Sequence, residues 1–184
     1  MNELWFILFS VVLFFDFLRE GTFTLIYYTM WTFTLETVFF ALLVAKKDKI
    51  AIQLLPFIYA PAIVVCIGFW IIVAPAAATA PITNVVLTLV VHGLNMVALL
   101  LQPYQVYMTD LWKPIAYTSL YNIFLAMYVG SGGRSISGKL PYWYAQYDNS
   151  IGWIFAGLAV TAAMTVHIFV SVKKKKKIEV AETV

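Results

Sequence analysis

Glu36 and His92 are two of the few ionisable side chains within the long apolar runs of this sequence. An ionisable group at the middle of a bilayer costs about 2.5–3.5 kcal/mol unless it is paired or faces a cavity. A carboxyl group and an imidazole can also exchange protons with a reacting group. These residues therefore indicate either a site that does chemistry or binds a ligand, or interhelical hydrogen bonds worth about 0.6 kcal/mol each.

Polar side chains recur at helical spacing on two of the runs and form two stripes: Thr29, Thr32 and Glu36 on one, and Thr88, His92 and Asn95 on the other. Counting about 1.5 Å per residue from one membrane surface places Glu36 about 16 Å deep and His92 about 15 Å deep. The spacing therefore predicts that Glu36 meets His92 where the stripes face each other. Further candidate binding residues near this meeting point are Asn95, Asn122 and Tyr121.

Metal and cofactor sites have little support in the sequence. The lone cysteine, Cys66, excludes a disulfide framework, a cysteine-ligated zinc site and an iron–sulfur cluster within this chain. His92 and His167 could ligate a haem, but their depths differ by about 9 Å along the membrane normal. We expect no metal and no cofactor, and we expect bound lipid.

The composition of the chain indicates the class of protein in which these residues lie. Of 184 residues, 62% are apolar and 11% are charged, whereas a water-soluble domain carries about a quarter charged residues. The net charge of +3 comes with five consecutive lysines, and the rest of the chain is near neutral, which excludes a nucleic-acid-binding surface. The sequence predicts an integral membrane protein.

The apolar runs predict an all-α, polytopic transmembrane bundle of about six spans. The predicted helices are Leu4–Leu18, Leu25–Ala45, Leu54–Val73, Ile82–Leu101, Pro114–Val129 and Ile151–Val172. The first is short, so it either crosses a thinned bilayer or lies partly in the interface; it lacks a basic n-region and a cleavage site and is expected to be retained. Pro56 is predicted in a first turn and Pro61 at a kink. Residues 1–172 form one domain, followed by the lysine-rich tail 173–184.

Basic residues are distributed unequally between the two predicted sides. One side collects Lys46, Lys47, Lys49, Lys113, Lys173, Lys174, Lys175, Lys176 and Lys177, and the other has Arg19, Arg134 and Lys139. The positive-inside rule therefore predicts both termini on the cytoplasmic or matrix side. The membrane is not identified, although an organellar one such as the mitochondrial inner membrane fits. The run at 173–177 either attracts anionic lipid at the membrane surface or serves as a topology signal.

Four short motifs carry a family resemblance: LIYYTMWTFTLETVFF at Leu25–Phe40, FWII at Phe69–Ile72, HGLN at His92–Asn95 and KLPY at Lys139–Tyr142. In order and rough spacing, the chain resembles the androgen-induced-protein and rolling stone family of multi-span membrane proteins over about residues 25–172. The YYTMW and HGLN pieces are most similar to the rolling stone branch.

This resemblance implies a bundle of about six helices and, in the androgen-induced branch, a threonine hydrolase of fatty acid esters of hydroxy fatty acids. The nucleophilic threonine carries over onto Thr29. The histidine position of the family falls on Asn95, which cannot accept a proton from a hydroxyl group, so His92 would have to serve as the base. In such a hydrolase, Glu36 would orient or charge the imidazole.

Three functions are compatible with these features. The first is a non-catalytic accessory or structural subunit that contacts lipids and partner helices in a larger membrane complex, because short loops leave the chain little else to present. The second is the intramembrane Thr/His hydrolase. The third is a transporter, for which the chain has no inverted repeat and few charges to line a polar pathway.

Overall fold

The computed structural model describes residues 1–73, 88–142 and 144–182, without the side chains of residues 72–73 and 172–182. All regular elements in these ranges are helical, and the ranges contain no β-strand. The all-α class predicted from the apolar runs is therefore confirmed.

Six α-helices are described: α1 (Asn2–Glu20), α2 (Tyr28–Val44), α3 (Asp48–Gly68), α4 (Asn95–Leu100), α5 (Trp112–Gly130) and α6 (Ser150–Glu182). A 3₁₀ helix, Gly21–Ile26, joins α1 to α2, and a shorter one, Met108–Asp110, precedes α5. Wider π-helical turns continue α3 through Phe69–Val73 and lead into α4 through Val90–Leu94.

Helix α3 lies at the centre of the bundle. It packs against α2, α4, α5 and α6, while α1 packs on α2 and α5 packs on α6. The main core lies between α1, α2 and α3, where the side chains of Phe9, Phe33, Phe40, Leu55 and Ile58 are fully buried. This core fixes the position of α2, which carries most of the predicted site residues.

Contacts between connecting segments define the two ends of the bundle. At one end, the α2–α3 turn lies near the segment that follows α4, because the Tyr104 hydroxyl donates to Asp48 Oδ1 at 3.3 Å. We call this the Asp48 end. At the other end, the backbone N–H of Tyr28 donates to the Tyr142 hydroxyl at 3.0 Å, which joins the start of α2 to the α5–α6 loop. We call this the Tyr142 end.

Several predicted helix boundaries are wrong. Helix α2 begins at Tyr28 instead of Leu25, because the preceding residues form the 3₁₀ helix. Helix α3 begins at Asp48 instead of Leu54, so Pro56 lies inside the helix and not in its first turn. Asp48 is acidic in that first turn, where a negative charge is stabilised by the helix dipole.

The later helix boundaries differ in how they agree with the predicted ones. The predicted end of the last helix at Val172 is wrong, because α6 continues through the lysine run to Glu182. Lysine is a good helix former, so a change from apolar to charged residues need not end a helix. The predicted fourth helix begins in residues 82–87, which lie outside the described ranges. Helix α5 starts at Trp112, two residues before the predicted start at Pro114, and Pro114 lies in its first turn.

Two described helical segments are long and apolar enough to cross a membrane: Asp48–Ile71 and Ser150–Ser171. The most apolar stretch of the first is 56% buried inside the bundle, whereas that of the second is 17% buried. The first segment therefore belongs to the core of the bundle, and α6 leaves most of its apolar surface uncovered.

Candidate functional site

Among the Asp, Glu, Lys and Arg side chains that the structure describes, the side chain of Glu36 on α2 is the most deeply buried, at 0% exposure. Its Oε1 atom accepts a hydrogen bond from Asn95 Nδ2 at 3.5 Å, and its Oε2 atom has no hydrogen-bond partner. None of the ion pairs in the described ranges includes this carboxyl group. In the described ranges, the Glu36 carboxyl group therefore accepts one long hydrogen bond, which a neutral amide donates.

Asn95, the first residue of α4, is also fully buried. Its Oδ1 atom accepts the backbone N–H of Met96 at 2.7 Å, which fixes the orientation of the amide and leaves Nδ2 for Glu36. The polar stripe of α2 therefore contacts the second predicted stripe, that of Thr88, His92 and Asn95, through Asn95. We call Glu36 and Asn95 the buried polar pair.

His92 lies in the π-helical turn before α4 and has other partners. Its Nδ1 atom lies 3.1 Å from the backbone oxygen of Thr88, and its ring stacks on Phe69 with centroids 4.0 Å apart. No hydrogen bond between His92 and Glu36 occurs among the described residues. The predicted meeting of these two side chains is replaced by the contact between Glu36 and Asn95. A π-helical turn has a wider hydrogen-bonding pattern than an α-turn, so residues inside it leave the face predicted from α-helical spacing.

The threonines of α2 differ in their surroundings. Thr32 is fully buried, and its hydroxyl contacts the Tyr28 carbonyl at 3.1 Å and the Tyr117 hydroxyl at 3.3 Å. Thr29 is partly buried, and within the described ranges its hydroxyl makes no hydrogen bond, to His92 or to any other group. The structure therefore does not bring the predicted nucleophile and base into hydrogen-bond contact.

Tyr121 and Asn122 of α5 lie apart from the buried polar pair. The Tyr121 hydroxyl donates to the Ile26 carbonyl at 2.8 Å, which holds α5 against the 3₁₀ helix. Asn122 Nδ2 donates to the carbonyls of Thr118 at 2.9 Å and Ala156 at 3.5 Å, which links α5 to α6. Both side chains tie elements together, and neither hydrogen-bonds Glu36 or Asn95.

A cluster of tyrosines, of which Tyr121 was predicted as a binding residue, lies between α2, α5 and the Tyr142 end. The Tyr28 hydroxyl lies 2.8 Å from Thr118 Oγ1, and the rings of Tyr28 and Tyr121 are 4.8 Å apart. Burial raises the pKa of Tyr142 in the α5–α6 loop to about 12, so its phenol keeps its proton at neutral pH. The spacing of Tyr117 and Tyr121, four residues apart on α5, is the sequence signal that could have indicated this cluster.

His167 is buried in α6 at 1% exposure. Its Nε2 atom donates to the carbonyl of Tyr107 at 2.9 Å, and its Nδ1 atom has no partner. This contact attaches α6 to the segment that precedes α5. His167 and His92 thus bind different carbonyl groups.

Metal ligation gives no further site in the described ranges, and the two open grooves of the bundle lie away from the predicted site residues. No group of three or more His, Cys, Asp or Glu side chains there could hold a metal ion. Two open grooves, of 480 Å³ between α1 and α2 and of 410 Å³ along α5, are not lined by Thr29, Glu36 or His92. The five lysines at 173–177 belong to α6, but their side chains lie outside the described part of the chain.

Comparison with protein-family models, curated proteins and solved structures gives no match for this chain. The resemblance to the androgen-induced-protein and rolling stone family stays a prediction from the four motifs. Within the described geometry, the buried polar pair connects α2 to α4, and neither Glu36 nor Asn95 lines either of the two open grooves.

Proposed function

We propose that this chain is a non-catalytic integral membrane protein, an accessory or structural subunit that contacts lipids and partner helices in a larger complex. The observation that carries the proposal is the large apolar surface left uncovered on the outer helices. Exposed apolar side chains occur on three of them: Leu4, Ile7, Val11 and Phe14 on α1, Leu120, Ile123 and Met127 on α5, and Trp153, Ile154 and Leu158 on α6. A surface of this kind is typical of contact with lipid or with another protein.

The proposed topology has six crossings, formed by α1, α2, α3, the segment that contains α4, α5 and α6. The contacts at the Asp48 end and the Tyr142 end support alternation of these helices between two sides. Helix α1 has 19 residues, which corresponds to about 28 Å and approaches the hydrocarbon thickness. With Lys46, Lys47, Lys49 and Lys113 at the Asp48 end, the proposed orientation places that end and the tail on the cytoplasmic or matrix side.

The proposal for a complex is tested by extraction in mild detergent, followed by size measurement and identification of co-purifying chains. We expect a particle larger than the 20.8 kDa chain in its detergent micelle, with a reproducible set of other membrane proteins. Extraction in a harsher detergent provides the control, because it should release the chain as a monomer. A monomer in mild detergent that retains only lipid would contradict the role as a subunit.

The proposal also predicts that the purified chain shows no ester hydrolysis that depends on Thr29. A nucleophilic threonine needs a base within hydrogen-bond reach, and the described residues show no hydrogen bond between Thr29 and His92. We expect hydrolysis of a fatty acid ester of a hydroxy fatty acid to stay at the level of protein-free detergent in both wild type and Thr29→Ala. Turnover by the wild type that is lost in Thr29→Ala, but kept in Thr34→Ala on the same helix, would establish the hydrolase instead.

A further inference from the structure

An open groove follows the outer face of α5 toward the Tyr142 end. It encloses 410 Å³ and is lined by Leu120, Ile123, Phe124, Met127, Tyr128 and Ser131. These residues occupy positions i, i+3, i+4, i+7, i+8 and i+11 of the helix, so they form one helix face about 17 Å long. The hydroxyl-bearing residues Tyr128 and Ser131 lie at the loop end of the groove, and the rest of its lining is apolar. Its dimensions and lining suit an acyl chain.

Two cations follow the polar end of this groove. Arg134 and Lys139 are exposed, and neither forms an ion pair within the described ranges. Arg19, in the last turn of α1, differs from them because it already pairs with Asp16 at 2.6 Å and Glu20 at 3.1 Å. Arg134 and Lys139 are therefore the cations of the α5–α6 loop that can attract an external anion.

The loop is held on the groove by Tyr128, which also lines it. The Tyr128 hydroxyl donates to the backbone carbonyl of Arg134 at 2.6 Å. Gly133 packs so closely that a Cβ atom added there would lie 2.6 Å from the Tyr128 ring. Arg134 Nη1 donates to the Gly133 carbonyl at 2.7 Å, and a guanidinium group has further N–H donors. The backbone of Arg134 is thus fixed beside the polar end of the groove.

We propose that this groove and loop bind an anionic phospholipid, with an acyl chain along α5 and the phosphate at Arg134 and Lys139. The guanidinium group suits the phosphate because its planar set of donors matches phosphate oxygens and makes charge-assisted hydrogen bonds. The proposal rests on the membrane location given under the proposed function, and it adds the lipid class and the residues that select it. A zwitterionic phospholipid would fill the same groove and gain less from the two cations.

The test is native mass spectrometry of the purified full chain in mild detergent with added dioleoyl phosphatidylglycerol or dioleoyl phosphatidylcholine. We expect the wild type to bind phosphatidylglycerol more tightly. We expect Arg134→Gln to weaken that binding about fivefold, as the loss of one basic residue near an anionic headgroup predicts. Lys47→Gln removes one charge from an exposed residue at the opposite end and should leave both affinities unchanged.

The substitution Tyr128→Phe tests whether lipid binding depends on the placement of Arg134, because it leaves the net charge of the chain unchanged. It keeps every charge and removes the hydrogen bond that holds the Arg134 carbonyl, so we expect a smaller but measurable loss of phosphatidylglycerol binding. Equal loss in Lys47→Gln and Arg134→Gln would show general attraction to charge and overturn the site. Equal affinity of the wild type for the two lipids would overturn it as well.

Flotation with phosphatidylcholine vesicles after an alkaline carbonate wash distinguishes failure of this site from failure of the proposed function. A chain that floats with the vesicles but does not prefer phosphatidylglycerol loses only the lipid site. A chain that stays in the aqueous fraction contradicts the membrane location, and the lipid site with it.

Discussion

Replacement of Phe9 by alanine is expected to lower the free energy of unfolding by about 3 kcal/mol. Phe9 is fully buried, and its ring contacts Phe33 at 4.8 Å and Phe40 at 5.6 Å between centroids. The substitution would leave a cavity between α1 and α2 and remove contacts that attach the first helix to the bundle. The change should appear as a decrease of roughly 6–12 °C in the midpoint of thermal unfolding, measured by circular dichroism in mild detergent.

Phe14→Ala on the same helix is the matched control. Phe14 is 60% exposed, so its truncation removes contact with lipid or detergent and leaves the packing between α1 and α2 intact. We expect a loss below about 1 kcal/mol, as is usual for exposed positions. Equal effects of the two substitutions would mean that α1 does not pack on α2 through its Phe9 face, and would contradict the arrangement of the core.

The helical class and the approximate position of each described helix could be predicted from apolar runs, but the helix ends could not. Leu25 and Ile26 are as apolar as the residues of α2, so composition does not distinguish the 3₁₀ helix from the α-helix that follows. At the start of α3 and the end of α6, polar residues belong to the helix although polarity predicts that the helix lies outside them. These residues are Asp48 and the lysines at 173–177. Pro114 located the start of α5 to within two residues, because proline is well suited to a first helical turn.

The candidate site was predicted in its region but not in its pairing. The sequence located a buried polar contact between α2 and the segment that contains α4, and Glu36 and Asn95 form that contact. The partner of Glu36 could not be predicted by counting about 1.5 Å per residue, because the Val90–Leu94 turn is π-helical and changes the face that His92 occupies. Nothing in single-residue periodicity indicates such a turn.

Replacement of Asn95 by leucine is expected to lower the free energy of unfolding by about 3 kcal/mol. Leucine has the branched outline of asparagine but a larger volume, so some overpacking of this buried position adds to the loss. Glu36 Oε1 also loses its hydrogen-bond donor, while Oε2 already has none. A buried acidic group without any partner carries the desolvation cost that a hydrogen bond otherwise offsets. Chemical or thermal unfolding in mild detergent measures the loss, and Asn122→Leu on α5 serves as the control. Asn122 donates only to backbone carbonyls, and we expect its replacement to cost about 0.6 kcal/mol.

The double substitution Glu36→Met with Asn95→Leu tests the cause of that loss. Replacing both partners of a buried polar contact by apolar groups of similar shape is close to neutral. We therefore expect the double variant to regain the part of the stability that Asn95→Leu loses through the unpaired carboxyl group, which gives a favourable coupling energy in the double-mutant cycle. Additive losses from the two substitutions would show that Asn95 stabilises α4 through the Met96 backbone alone. In that case the contact between Glu36 and Asn95 would contribute nothing to holding α2 against α4.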